Sequence, residues 1–404
     1  MKKLIIIIFA ATLSLGAFAQ NETMFIHKGG QIISQYAVAD IDSITFFHVP
    51  RPPQPLAPTL YFAVRGGNIM AIQLTENLLS DPDYVITPID LGVSSGATPM
   101  NILFHNDLLY ILDAGQHFTF QDDSEFHNLG DGGIRVMSRD GSRVESMMRN
   151  IGHAFNDPFD GFIEEDFLYF TNRNTGIIRL PLSTRNETWT FRLHDNGIPW
   201  LIRNTMPPMF WNLTYGAMNT GFLKVNGVWW WAKRWNQPGI FRFTESDIRT
   251  SATPFISPVG IMQGFNMRSF TWDSQREVMY FTVYNPGFEG LYRATIVQME
   301  AITAPAQLAP FRLTTAEGRS VVPIIPLSFN EATEEGTVGE PLAITQLALN
   351  KATGCVYFGL RSANPEEVPS GLYRFNPVTN FIEPVILGIN VLGVAINNTP
   401  TRLF

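Results

Sequence analysis

The chain has 404 residues, of which 45% are hydrophobic, 12% aromatic and 16% charged. That is ample apolar material for a packed core and too much for a disordered chain. A single cysteine excludes a disulfide scaffold and a cysteine-rich metal site. A formal charge of −8 without any cluster of Lys and Arg argues against nucleic acid as a partner, because phosphate contact needs such clusters.

Lys2 and Lys3 precede an apolar run from Leu4 to Leu15, and Ala17-Phe18-Ala19 follows it. A basic start, a short apolar stretch and small residues at −3 and −1 predict a signal peptide over residues 1–19, cut before Gln20. The run is too short for a membrane span, no cysteine follows it to carry a lipid, and no later segment is long and apolar enough to cross a bilayer. The expected location is therefore the periplasm or the outer cell surface, for a chain without a membrane span.

Residues 20–48 read as a small strand module. Met24–His27 and Ile32–Ile33 flank Gly29-Gly30, a hairpin signal because glycine accepts positive φ, and Ile41–Phe47 predicts a further strand. The pattern Ile26-His27-Lys28 … Asp40-Ile41-Asp42-Ser43-Ile44-Thr45-Phe46 resembles the head of many exported proteins of Gram-negative gut-type bacteria. Asp42-Ser43-Ile44 also looks like the O-glycosylation acceptor of such bacteria. Pro50, Pro52, Pro53, Pro55 and Pro58 then crowd residues 49–58, a composition that suits an extended polyproline spacer and no central strand.

From residue 59 a repeat runs to the C-terminus: an aromatic pair, a loop, then Gly, an apolar residue, any residue and Arg. It is plainest as Tyr169-Phe170 … Gly176-Ile177-Ile178-Arg179, and recurs with Trp230-Trp231 … Gly239–Arg242, Tyr280-Phe281 … Gly290–Arg293 and Tyr357-Phe358 … Gly371–Arg374. Tyr110-Ile111 … Gly133-Ile134-Arg135 carries its arginine one position early, and Tyr61-Phe62 … Gly67 lacks it. An apolar run precedes each later pair (99–104, 160–163, 221–225, 268–272, 344–349), and a fourth strand is expected after each arginine, for example at 190–193 and 310–313. Four short antiparallel strands repeated six times, with almost no helix signal, predict an all-β fold: a six-bladed β-propeller over residues 59–404. The first repeat starts at a second strand, so 391–396 is predicted to close the ring as the innermost strand of blade 1.

The segments Gly152–Pro158, Leu168–Phe170 and Gly176-Ile177, with Ile134–Gly141 before them, resemble NHL-type blades of the six-bladed propeller superfamily. The resemblance implies the fold and leaves function open.

With strands A to D numbered outward from the axis, A–B and C–D turns share one face, and B–C and D–A loops share the other. The long stretches at 113–132, 361–370, 194–219, 255–266 and 314–343 are all expected on the B–C/D–A face, where long loops commonly carry function. Trp200, Trp211 and Trp235, with His194 and Arg203, are the ligand-binding candidates, because flat aromatic faces suit the C–H-rich side of a sugar ring. The alternative is that tryptophans pack, as at least two of Trp229, Trp230 and Trp231 should. Asp122, Asp123 and Asp131 could hold a calcium ion, though their spacing is not that of an EF-hand and a solvated acidic loop also explains them. His117, His127, His153 and His194 fall on the same loops without metal-ligand spacing. The four repeated arginines read as blade packing, with an anion-lined channel as the alternative.

The reading is an exported binding propeller whose partner is a glycan, another extracellular ligand or a cell-envelope protein, and which needs no cofactor. A propeller enzyme (a metal-dependent lactonase or a glycan-active hydrolase or lyase) and a structural component of the envelope are the alternatives.

Overall fold

The structure is a computed structural model. It describes residues 23–28, 31–37, 56–75, 86–115, 132–150, 158–172, 176–189, 191–193, 199–201, 210–211, 219–233, 238–244, 259–321 and 344–401. It comprises two compact units, Met1–Pro55 and Leu56–Phe404. In the first, Thr23–Lys28 pairs antiparallel with Gln31–Ala37, as the Gly29-Gly30 signal requires.

The second unit is built from six small sheets, which are its blades, and one two-stranded sheet beside them in sequence. Blade 1 runs Val391–Thr401, Ala57–Val64, Asn68–Gln73, Ile89–Ser94 from the axis outward. Blade 2 runs Pro99–His105, Leu108–Asp113, Gly133–Ser138, Val144–Asn150, and blade 3 runs Pro158–Glu164, Phe167–Asn172, Gly176–Pro181, Phe210–Trp211. Blade 4 runs Asn219–Val225, Val228–Lys233, Gly239–Phe243, Val259–Ile261. Blade 5 has Met267–Asp273, Val278–Val283 and Gly290–Ala294, and blade 6 runs Ala348–Leu349, Val356–Leu360, Gly371–Asn376, Phe381–Leu387. The inner strands pack one against the next from blade 1 through blade 6 and back to blade 1. The chain is a six-bladed β-propeller.

Closure is by the chain's two ends. Val391–Thr401 pairs antiparallel with Ala57–Val64, Ala395 opposite Tyr61 and Val394 opposite Phe62. The predicted closing strand is thus innermost in blade 1 and extends beyond 396.

A strand's side chains alternate between its two faces, and in a propeller both faces meet a neighbouring blade. The second strands show this directly. Tyr61 and Ala63 enter the core between blades 1 and 2, whereas Leu60 and Phe62 enter that between blades 6 and 1. Tyr110 and Leu112 pack with Leu168 and Phe170, Tyr169 with Trp229 and Trp231, Trp230 with Phe281, and Tyr280 with Phe358. Six interfaces therefore hold six apolar clusters, which is why the aromatic pairs of the repeat are adjacent rather than spaced by two. All three tryptophans of Trp229-Trp230-Trp231 are buried.

Three expectations about the outer strands change. In blade 3 the fourth strand is Phe210–Trp211, not 190–193; Phe191–Leu193 pairs instead with Pro199–Leu201, and Glu187–Trp189 adds in parallel to the outer strand of blade 2. In blade 5 the segment 310–313 holds only a single bridge, Arg312 to Tyr292, because Pro305–Phe311 is a 3₁₀ helix. In blade 4 the fourth strand is Val259–Ile261, so its connection onward is short. Consequently the stretches expected as fourth-to-first-strand loops at 194–219 and 255–266 are divided by Phe210–Trp211 and Val259–Ile261, so that 194–209 and 255–258 belong to third-to-fourth-strand connections instead; 314–343 does lead from blade 5 to blade 6, as expected. The loops at 114–132 and 361–370 do join second to third strands, as expected.

Candidate functional site at the propeller axis

Inner strands begin apolar runs, yet several open on polar residues: Asn101, Asp160, Thr220, Arg268, Ser269 and Gln346 are all buried. The backbone explains why they are tolerated. In five blades the ladder between first and second strands breaks near its start, at Pro99/Asn101, Pro158/Gly161, Asn219/Phe222, Met267/Phe270 and Val391/Val394. Each irregularity frees backbone groups that burial obliges to find other partners.

The polar side chains supply them, blade by blade. Asn101 Nδ2 of blade 2 donates to Asp160 Oδ1 of blade 3. Asp160 Oδ1 also accepts from Gly161 N at 2.8 Å, and Oδ2 accepts from Phe222 N of blade 4 at 3.1 Å. Thr171 Oγ1 donates to Thr220 O at 2.6 Å, and Thr220 Oγ1 donates to Met267 O of blade 5 at 2.9 Å. Ser269 Oγ donates to Ile344 O of blade 6 at 3.0 Å. Gln346 completes the circuit: its Oε1 accepts from Val394 N and Ile102 N, both at 2.8 Å, while its Nε2 donates to Ile102 O at 2.6 Å. A ring of side-chain clasps therefore joins all six inner strands.

Space at this level is fully used. A Cβ on Gly221 would lie 2.5 Å from Arg268 O, so only glycine lets the inner strands of blades 4 and 5 approach this closely. The Arg268 guanidinium lies over the Phe159 ring, 4.7 Å from its centroid, with Nη2 3.8 Å from Met100 Sδ. Burial pushes the Asp160 carboxyl up to about 7, against the pull of its hydrogen bonds and of the Arg268 charge. Chemically, the described ring holds a carboxyl whose proton affinity burial raises and a guanidinium, and a perturbed acid of this kind is a candidate functional group.

None of these axial residues was singled out from sequence. The available signal was a charged residue opening an apolar strand, at Asp160 and Arg268, which reads equally well as a strand boundary. Of the residues that were singled out, Trp200 lies on Pro199–Leu201 within the C–D connection of blade 3, and Trp211 lies on that blade's outermost strand. His194, Arg203, Trp235, Asp122, Asp123, Asp131, His117, His127 and His153 lie outside the described residues. Among the described residues, no three His, Cys, Asp or Glu side chains are grouped as metal ligands, and no helix is long and apolar enough to cross a membrane.

No family model and no curated protein matches this sequence. Among solved structures, the chain is similar to a candidate 6-phosphogluconolactonase of Bacteroides uniformis, with 13% identity and a TM-score of 0.46 over 85% of this chain and 100% of that one. A chain of the nidogen/laminin complex is 12% identical, with a TM-score of 0.45 over 84% of this chain and 98% of its own. A gluconolactonase of Xanthomonas campestris is 9% identical, with a TM-score of 0.43 over 85% and 91% of the two chains. The six blades stand on the strand pairing itself.

Proposed function

We propose that the protein is an exported, non-catalytic binding propeller that takes a glycan or another polar extracellular ligand through the tryptophan-bearing connections of blades 3 and 4. The observation that supports this reading is in the axial ring: Asp160, Thr220, Ser269 and Gln346 are buried and engaged with inner-strand backbone, which turns ligand contact towards the loops. In this reading residues 1–19 are a signal peptide, Trp200, His194 and Arg203 act together on the blade 3 excursion, and Trp211 and Trp235 contribute separately. The reading calls for no cofactor. The test is a glycan-array screen of the mature chain against Trp200→Ala, Trp211→Ala and Trp235→Ala. Loss of a wild-type signal in at least one variant supports it; unchanged binding in all three removes it.

The near-neutral carboxyl of Asp160 beside Arg268 favours a second reading, an axial acid–base enzyme acting on a lactone or glycan. Hydrolysis by the wild type that disappears in Asp160→Asn would select this reading over the first.

A further inference from the structure

The axial ring contains one link unlike the rest. The clasps made by Thr171, Thr220, Ser269 and Gln346 are neutral, whereas the link joining blades 2, 3 and 4 runs through an ionisable carboxyl, Asp160. All its described hydrogen-bonding neighbours at the carboxyl are donors: Asn101 Nδ2, Gly161 N and Phe222 N. That arrangement satisfies a carboxylate and gives the O–H of a carboxylic acid nothing to donate to. The missing acceptor belongs to the same clasp. Asn101 is fully buried, and its Oδ1 makes no hydrogen bond although its Nδ2 does. A half-turn of the amide exchanges the two atoms and presents that oxygen to Asp160.

We infer that Asn101 and Asp160 form a proton-operated clasp between the inner strands of blades 2, 3 and 4. With Asp160 ionised, the Asn101 amide donates to it and Phe222 N is held by a charged acceptor. With Asp160 protonated, the amide turns over, its oxygen accepts the Asp160 O–H, and the bond from Phe222 N weakens because its acceptor has lost its charge. One proton is taken from solvent and no other bond changes. Among the described residues, Asp160 faces Asn101 from blade 2, Thr171 on its own blade's second strand, Phe222 N from blade 4 and Arg268 from blade 5, the described charge that acts on it. Asp113, behind Asn101 on the second strand of blade 2, is engaged by Thr98 N, Gly115 N and Arg135. The device would make closure of the axis in this sector respond to pH near neutrality, as the burial-raised carboxyl requires.

The test uses the full mature chain labelled with ¹³C at the aspartate carboxyls, the Asp160 resonance being assigned by its absence in Asp160→Asn. The resonance is expected to titrate near pH 7. In parallel, the Phe222 amide proton should move upfield as pH falls through the same midpoint, because its hydrogen bond to Oδ2 weakens when that acceptor loses its charge. The side-chain amide of Asn101, observed through ¹⁵N, should shift through the same midpoint as its partner changes from carboxylate to carboxylic acid. An Asp160 carboxyl titrating in the ordinary range, or a Phe222 or Asn101 amide indifferent to that titration, would each overturn the clasp. If Asp160→Asn fails to fold, the resonance shifted by Asn101→Ala makes the assignment instead.

Discussion

Arg374 lies directly across from Tyr357 on the adjacent strand of blade 6, and Arg179, Arg242 and Arg293 stand in the same register against Tyr169, Trp230 and Tyr280. These strands are third from the axis, so the arginines serve blade packing and do not line a channel. Arg179 lies over Phe167 at 4.5 Å, Arg242 over Trp230 at 5.2 Å and Arg293 over Phe375 of the next blade at 5.3 Å. In blade 2 the early arginine shows what register costs. Ile111, not Tyr110, faces Arg135, and the one-residue shift turns the guanidinium to Ser94 O at 2.9 Å and towards Asp113.

Arg374 is the most buried of these in its ion pair, 2.7 Å from Glu383, whereas Arg242 meets a more exposed Glu300 at 2.6 Å. Arg374→Ala should therefore destabilise by about 1–2 kcal/mol and Arg242→Ala by less than about 1 kcal/mol. Urea unfolding of the two variants checks the order.

Gln346→Leu strips the partners from Ile102 N, Ile102 O and Val394 N at once. Each orphaned buried group costs about 1–3 kcal/mol, so a loss of at least about 3 kcal/mol is expected. Gln346→Glu, which retains the acceptor but not the donor, should fall between wild type and Gln346→Leu in the same unfolding assay.

Asp160 gives stability a definite pH dependence. Its folded-state value, about 7, lies above its ordinary 3.8, so the folded chain binds the extra proton between these limits. The contribution is fully present below the ordinary value and is lost as pH rises through 7, by at most about 4 kcal/mol. The urea midpoint of the wild type should fall between pH 4 and pH 8 more steeply than that of Asp160→Asn. Parallel curves would refute this.

Removing residues 391–404 takes away the inner strand of blade 1 and uncovers Leu60 and Phe62. Because each blade is stable only through its neighbours, cooperative unfolding should be abolished. Removing residues 1–55 touches none of the six sheets, and the thermal transition of the remainder should persist.

Cys355 is buried, and burial pushes its thiol up. Thiol reagents should label it only as fast as the interface between blades 6 and 1 opens. Labelling of the native chain at the rate of a free thiol would contradict its placement there.

Adjacent aromatic pairs, glycines opening third strands and a spare strand at the C-terminus were enough to read the blade number, the closure by 391–396 and the packing role of Arg179, Arg242, Arg293 and Arg374. These are local patterns repeated six times, and repetition makes a weak signal legible. The outer strands of blades 3, 4 and 5 were read less well, since an edge strand of two or three residues carries no periodicity. Which face each long connection leaves from depended on those strands, so it could not be placed without them. The axial ring was invisible for a different reason. Asn101, Asp160, Thr220, Ser269 and Gln346 are far apart along the chain, and most of their partners are backbone groups of another blade. Only closing the ring brings such groups within hydrogen-bonding distance, so composition and spacing determined the wheel while tertiary packing decided what sits at its axis.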